Sequence, residues 1–383
     1  MNSSILTGKD PASGRSLEVE YRNGLICAIR PGPVQETAWL CPGLIDLQVN
    51  GYLGHDLNTK QVTVDTVAAL ATALQATGVS TFLPTLITAS EAQIISTLRV
   101  IATARRQDSL LERMIPYVHV EGPALSAEAG PRGAHPSEQI RPPSLAEFER
   151  WQAASNGLVG MVTISPHWPK SAAYIAALSA RGVSVAIGHT HASGTQITMA
   201  ADAGARLSTH LGNGAHGTLP RHPNYLWAQL AEDRLYASFI ADGHHLPADT
   251  LKTMLRAKGI ERSILVSDTA ALGGMPPGDY ESPIGGKVHL AENGRLNVAG
   301  TQYLAGATAP LIAGVAHVTG KIGLSLAQAL QMATANPGKF VTGRGVLAVG
   351  TSADLLRFHW TGAGDTLVVE TVVIAGCTVL GKP

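Results

Sequence analysis

Between residues 44 and 269 short apolar runs alternate with alanine-rich segments of helical periodicity, and no other feature narrows the possible folds as far. Eight runs read as strands: Leu44 to Asn50, Ser80 to Ile87, Ile115 to Gly122, Gly160 to Ser165, Ser184 to Thr190, Arg206 to Leu211, Tyr236 to Ala241 and Ser263 to Thr269. Their Val, Ile, Leu and Thr content suits strands covered on both faces. Between them Asp65 to Thr77, Ser171 to Ala180 and Ala248 to Lys258 read as helices, with Gly78, Gly182 and Gly259 placed to stop them. An eightfold strand–helix alternation over about 250 residues predicts an α/β fold, a closed (β/α)8 TIM-type barrel. A long open doubly wound sheet gives a similar local pattern.

The ends of the chain have a different period. Residues 15 to 42 hold two short alternating runs around the turn signal Asn23-Gly24, the pattern of a β-hairpin. After a helical segment from Leu326 to Thr334 the sequence Asn336-Pro337-Gly338 predicts a break. Strand-like runs then return at Leu355 to Phe358 and Thr366 to Ile374. We expect residues 1–43 and 345–383 to form one small β-sandwich domain beside a barrel of residues 44–344. The Gly/Pro-rich stretch from Gly273 to Gly286 reads as a loop after the eighth strand.

Charge and cysteines exclude several function classes. Lysine plus arginine equal aspartate plus glutamate at 28 each, so no basic field is present to hold nucleic acid or an anionic membrane, and an anionic ligand must be gripped locally. The three cysteines form no Cys-x-x-Cys pair, which argues against a disulfide framework or a four-cysteine zinc site. Met1 to Gly24 lacks an apolar core of signal-peptide length, and no apolar run approaches a bilayer span. A soluble cytoplasmic protein is expected.

Polar residues gather where barrel enzymes carry their active sites, at the carboxyl ends of the strands. The third strand runs into His119-Val120-Glu121-Gly122-Pro123, the fifth ends Gly188-His189-Thr190 and the sixth holds Thr209-His210-Leu211. Glu121, His189 and His210 make a two-histidine, one-carboxylate set, which leaves an open position on a divalent ion where water can be acidified. The eighth strand supplies Ser267-Asp268, a carboxylate suited to accept a proton from that water and pass it to a leaving amine. Taken singly, each has a plainer role: a strand-end histidine satisfied by hydrogen bonds, or an aspartate capping a turn. Their common position favours the metal site, but it does not extend to His191, or to His119, which reads as a core or supporting histidine.

Pro42-Gly43-Leu44-Ile45-Asp46-Leu47-Gln48-Val49-Asn50-Gly51 opens a series of motifs that runs on through the strand ends above. It continues with Ala241-Asp242-Gly243-His244-His245, Leu304-Ala305-Gly306-Ala307-Thr308 and Ala333-Thr334-Ala335-Asn336-Pro337. In this order and over nearly the whole chain, it resembles the N-acetylglucosamine-6-phosphate deacetylases of the amidohydrolase superfamily. The resemblance implies a barrel with a flanking β-sandwich, a homodimer, and hydrolysis of the acetamide of a phosphorylated amino sugar. It implies Glu121, His189 and His210 as metal ligands and Asp268 as the catalytic acid/base. It further implies His135, Asn213, Gly214, Arg221 and His245 as substrate contacts, with Arg221 binding phosphate in the neighbouring subunit's site.

Many amidohydrolases bind a second metal through a His-x-His pair at the end of strand one, where this chain has Gln48-x-Asn50. Amides are poor ligands for zinc, so one ion per subunit is expected, zinc first, with iron, cobalt and manganese as alternatives. Gln48 and Asn50 would otherwise serve backbone groups. After His210 the family pattern continues with an aromatic residue and Asn-Ala-Met, whereas this chain has Leu211-Gly212-Asn213-Gly214-Ala215-His216-Gly217. That departure alters the pocket wall and leaves two alternatives open: an amidohydrolase acting on another N-acyl amino sugar or a cyclic amide, and a non-catalytic scaffold on the same fold.

Overall fold

The computed structural model describes residues 3–282 and 286–382. All eight central runs form strands of one parallel sheet, in sequence order: Leu44–Val49, Val79–Ile87, Val118–Glu121, Val159–Ile164, Ser184–Ile187, Ala205–Ser208, Tyr236–Ile240 and Ser263–Val266. A parallel bridge between Val49 and Thr269 joins the first strand to the chain beyond the eighth, and Asp268 N donates to Gln48 O at 2.9 Å. The sheet is therefore a barrel rather than a doubly wound sheet.

Residue alternation divides the strands between two cores. Ile45, Leu47, Leu83, Met161, Ala186, Leu207, Ile240 and Ile264 fill the barrel interior. Leu44, Phe82, Val118, Val120, Val162, Val185 and Phe239 face outward against helices that include Val64–Gln75, Glu91–Gln107, Leu145–Ser155 and Ala248–Lys258. Helix ends follow the sequence signals. Thr63 and Thr66 form a reciprocal capping box, and Gly78, Gly182 and Gly259 all take φ near +80° just after helices.

The chain ends build a second sheet of seven strands. From one edge to the other these are Cys377–Leu380, Val368–Ile374, Leu355–His359, Trp39–Pro42, Ser4–Lys9, Ser16–Arg22 and Leu25–Pro31. Asn23 and Gly24 both have positive φ, the turn that a two-residue hairpin demands. The sheet folds back on itself, because Leu25 bridges Ser352 and the core joins Leu6, Val19, Tyr21, Ile26, Leu40, Leu355 and Val373.

Three sequence expectations are corrected. The barrel strands stop before their polar ends, since His189, His210 and Asp268 have φ of 46°, 29° and 50° and leave the ladder there. Asn336-Pro337-Gly338 lies within a short helical turn, Ala335–Gly338. Proline's missing N–H costs nothing in a first turn, and the break falls at Thr334, with φ −134° and ψ −82°. The stretch after the eighth strand is only partly loop. Gly278–Ser282, Gly286–Leu290 and Leu296–Val298 form a three-stranded antiparallel sheet, while residues 283–285 lie outside the described residues. Its small core of Val288, Leu290, Leu296 and Ala305 is assembled from separate segments, and the first strand, Gly-Asp-Tyr-Glu-Ser, has no apolar alternation to announce it.

Candidate metal centre and substrate pocket

Glu121, His189 and His210 converge at the mouth of the barrel. Glu121 is the last residue of the third strand, and the two histidines follow the fifth and sixth. Their positive φ values belong to the left-handed region that non-glycine residues avoid, which is a strain expected where side-chain direction is fixed by function. Glu121 Oε1 lies 2.9 Å from His210 Nε2 and 3.4 Å from His189 Nε2, and the three candidate ligand atoms all fall within 4.8 Å of one another. Donor atoms at about 2.1 Å from a tetrahedral ion stand roughly 3.4 Å apart, so the spacing fits one shared ion.

The electrostatics fit a cation as well. Burial alone would raise the Glu121 carboxyl, but hydrogen bonds and charge from His189 and His210 outweigh it and hold that group well below the usual carboxylate range. Burial would likewise lower His210, yet Glu121 lifts it to about 9. His189 Nδ1 donates to Pro131 O at 2.7 Å, which leaves its Nε2 lone pair directed inward. Gly133 and Gly214, both at positive φ, press on the same ring, and a Cβ at Gly214 would sit 2.5 Å from His189 Nδ1.

Asp268 is beside this group, and burial raises its carboxyl to about 6. Asn50 Nδ2 donates to Asp268 Oδ1 at 2.7 Å. The plainer role considered for Asn50, serving backbone groups, therefore gives way to orienting Asp268. Gln48 Nε2 and Asn50 Oδ1 are buried without a partner among the described residues. His119, also buried, bonds Thr163 Oγ1 at 2.7 Å and lies 3.3 Å from Leu47 O, as a supporting histidine would.

A cavity of about 350 Å³ opens over the trio and gathers most of the residues singled out in the sequence. His135, Asn213, Gly214 and His245 line it together with Glu121, His189, His210 and Asp268. His135 Nε2 lies 3.2 Å from His189 Nε2, and burial together with the His189 charge lowers it to about 3. Asn213 is anchored through its amide to His210 O at 3.2 Å. His245 Nδ1 donates to Asp242 Oδ2 at 2.7 Å, which fixes its ring, a role for Asp242 that the sequence does not reveal.

Arg221 is not brought to this cavity; it is exposed on the loop after the sixth strand. Sequence reasoning missed the far wall, where Arg295, Gln302 and Tyr303 come from the three-stranded sheet and the turn that follows it. No local pattern marks those residues. His216, the departure noted in the sequence, contributes to a clasp. Its Nε2 meets Glu128 Oε2 at 2.9 Å, its Nδ1 lies 3.0 Å from Tyr225 Oη, and Glu128 is also 3.7 Å from His191. The clasp ties the loop carrying Gly133 and His135 to the loop carrying Asn213 and Gly214.

A barrel that ends in this ligand set defines a class. Residues 39–379 match the model of the Amidohydrolase family, and the chain belongs to that family. Its relatives narrow the class further. It is 30% identical over 348 residues to the N-acetylglucosamine-6-phosphate deacetylase of Bacillus subtilis, covering 90% of this chain and 85% of that one. It is 32% identical over 341 residues to the N-acetylgalactosamine-6-phosphate deacetylase of Escherichia coli, covering 86% of each. An N-acetyl-D-glucosamine-6-phosphate deacetylase from Mycobacterium smegmatis, solved as an aspartate-to-alanine variant in complex with N-acetyl-D-glucosamine-6-phosphate, superposes with a TM-score of 0.86 at 28% identity. That match covers 99% of this chain and 100% of the other. The chain is thus a hydrolase acting on an amide, and the scaffold alternative is set aside.

Proposed function

We propose that this enzyme removes the acetyl group of N-acetylglucosamine 6-phosphate to give glucosamine 6-phosphate and acetate. The single observation that carries the reading is the convergence of Glu121, His189, His210 and Asp268 on one cavity large enough for a sugar phosphate. The donor set suits one divalent ion per subunit, zinc first, held by Glu121, His189 and His210. When bound, such an ion polarises a carbonyl and acidifies water. Asp268, steadied by Asn50, takes the proton of the attacking water and returns it to the departing nitrogen. His135 faces the acetamide, and Asn213, Gly214 and His245 receive the sugar.

In this reading residues 44–344 are the catalytic barrel, and 1–43 with 345–383 are its flanking β-sandwich domain. The enzyme works as a homodimer in which Arg221 reaches the partner's site. A cytoplasmic setting suits its three free cysteines, and no described helix is long and apolar enough to cross a membrane. The similarity to an N-acetylgalactosamine-6-phosphate deacetylase favours a second substrate, the galacto epimer, and the altered loop after His210 is where the two would be told apart. Acetate release from N-acetylglucosamine 6-phosphate, its galacto epimer and the two unphosphorylated sugars tests the reading. A wild-type enzyme inactive on both phosphates refutes it.

A further inference from the structure

The chain is electrically neutral overall, so a phosphate dianion in the pocket needs a cation close by. Among the described residues that line the cavity, Arg295 is the sole arginine or lysine. It stands at the entrance to the last strand of the three-stranded sheet, outside the barrel strands that carry the candidate metal ligands. Arg234, Arg262 and Arg357 each meet a carboxylate, whereas Arg295 makes no ion pair among the described residues. Neutral acceptors hold it instead. Nε donates to Asn297 Oδ1 at 2.9 Å and Nη2 donates to Gln302 O at 3.2 Å. Two of its five donors are used in this way, which leaves three for a ligand.

The clamp is itself braced. Asn297 Nδ2 donates to Thr301 O at 3.2 Å, Tyr303 N donates to Thr301 Oγ1 at 3.2 Å, and the neighbouring Leu296 is buried in the sheet's core. A half-buried guanidinium that lines a pocket, is held in advance by neutral acceptors and has no ion pair among the described residues has the features of an oxyanion receptor. Arg221, by contrast, is exposed and lines no part of this cavity within its own subunit.

We propose that Arg295 is a specificity-determining residue that binds the substrate's 6-phosphate from within the same subunit. The inference rests on the proposed activity and adds to it a cation that needs no partner chain. Phosphate preference then survives in part when Arg221 is removed.

The test compares wild type, Arg295→Gln and Arg295→Lys on N-acetylglucosamine 6-phosphate and N-acetylglucosamine, with inorganic phosphate as a competitive probe. Arg295→Gln should lower kcat/KM for the phosphorylated sugar about tenfold or more, chiefly through KM, with a much smaller loss on the unphosphorylated sugar. Inhibition by inorganic phosphate should weaken by a similar factor, and Arg295→Lys should recover part of both effects. Equal losses on the two sugars, with no recovery in Arg295→Lys, would show a merely structural residue and overturn the proposal. A wild type that prefers the phosphorylated sugar, with an Arg295→Gln variant that keeps the preference, overturns the Arg295 role alone. A wild type without the preference overturns the functional reading and the Arg295 role together.

Discussion

The floor and the rim of the pocket are built on different principles. Floor residues project from the ends of strands whose backbones are locked by neighbours on both sides, and Glu121, His189, His210 and Asn50 are all buried. Rim residues ride on connections: the loop with His135, the loop with Asn213 and His216, and the three-stranded sheet with Arg295 and Tyr303, the last 78% exposed. Moving a floor residue disturbs the whole barrel, whereas a rim segment can change without disturbing the barrel. In the proposed reading the floor sets the reaction and the rim sets the substrate. Relatives of nearly equal identity, named for gluco and galacto substrates, are what that division predicts.

The division fails first if the floor is dispensable. Wild-type protein should hold one divalent ion per chain by elemental analysis, and Glu121→Ala should lose both the ion and the activity. Two tightly held ions, both needed for turnover, would sink the single-ion model and give Gln48 and Asn50 another role.

A smaller effect is expected from the proton carrier. Asp268→Asn should keep its metal and its fold while kcat falls by about 10²- to 10⁴-fold, the range of general acid/base steps. A near-normal rate would transfer the task to His135 or His245.

At the rim the effects should shrink and become substrate-dependent. Arg221→Ala should cost about tenfold on the phosphorylated sugar, and mixing it with Asp268→Asn chains should restore some activity through hybrid sites. Failure of the mixture, with wild-type dimers shown by light scattering, would place Arg221 outside the neighbouring site.

The smallest effect belongs to the clasp. Glu128→Gln weakens a partly exposed contact between its carboxylate and His216, and surface contacts of this kind contribute about 0.2 to 1 kcal/mol. We therefore expect KM to rise up to about fivefold with kcat unchanged, and His216→Ala to add little on top of it. A drop in kcat instead would place the two loops in the machinery of the floor.

The sequence by itself determined the eightfold strand–helix alternation, the hairpin at Asn23-Gly24 and the strand-end identity of Glu121, His189, His210 and Asp268, while closure of the sheet into a barrel was decided by the bridge from Val49 to Thr269. Those features are written in short-range periods and turn residues, and a parallel barrel converts strand-end position directly into proximity. Only the tertiary structure decided the partners. Asn50 and Asp268 are 218 residues apart in the chain yet share a hydrogen bond, because barrel closure sets the first strand beside the eighth. The sheet's first strand, Gly278–Ser282, falls within a stretch that reads as loop, since the sheet holds together through a small core gathered from separate segments rather than through its strands' own alternation. Arg295 went unseen for the same reason: nothing in its neighbours in sequence points to a pocket, and only the folding of that sheet against the barrel mouth brings it there.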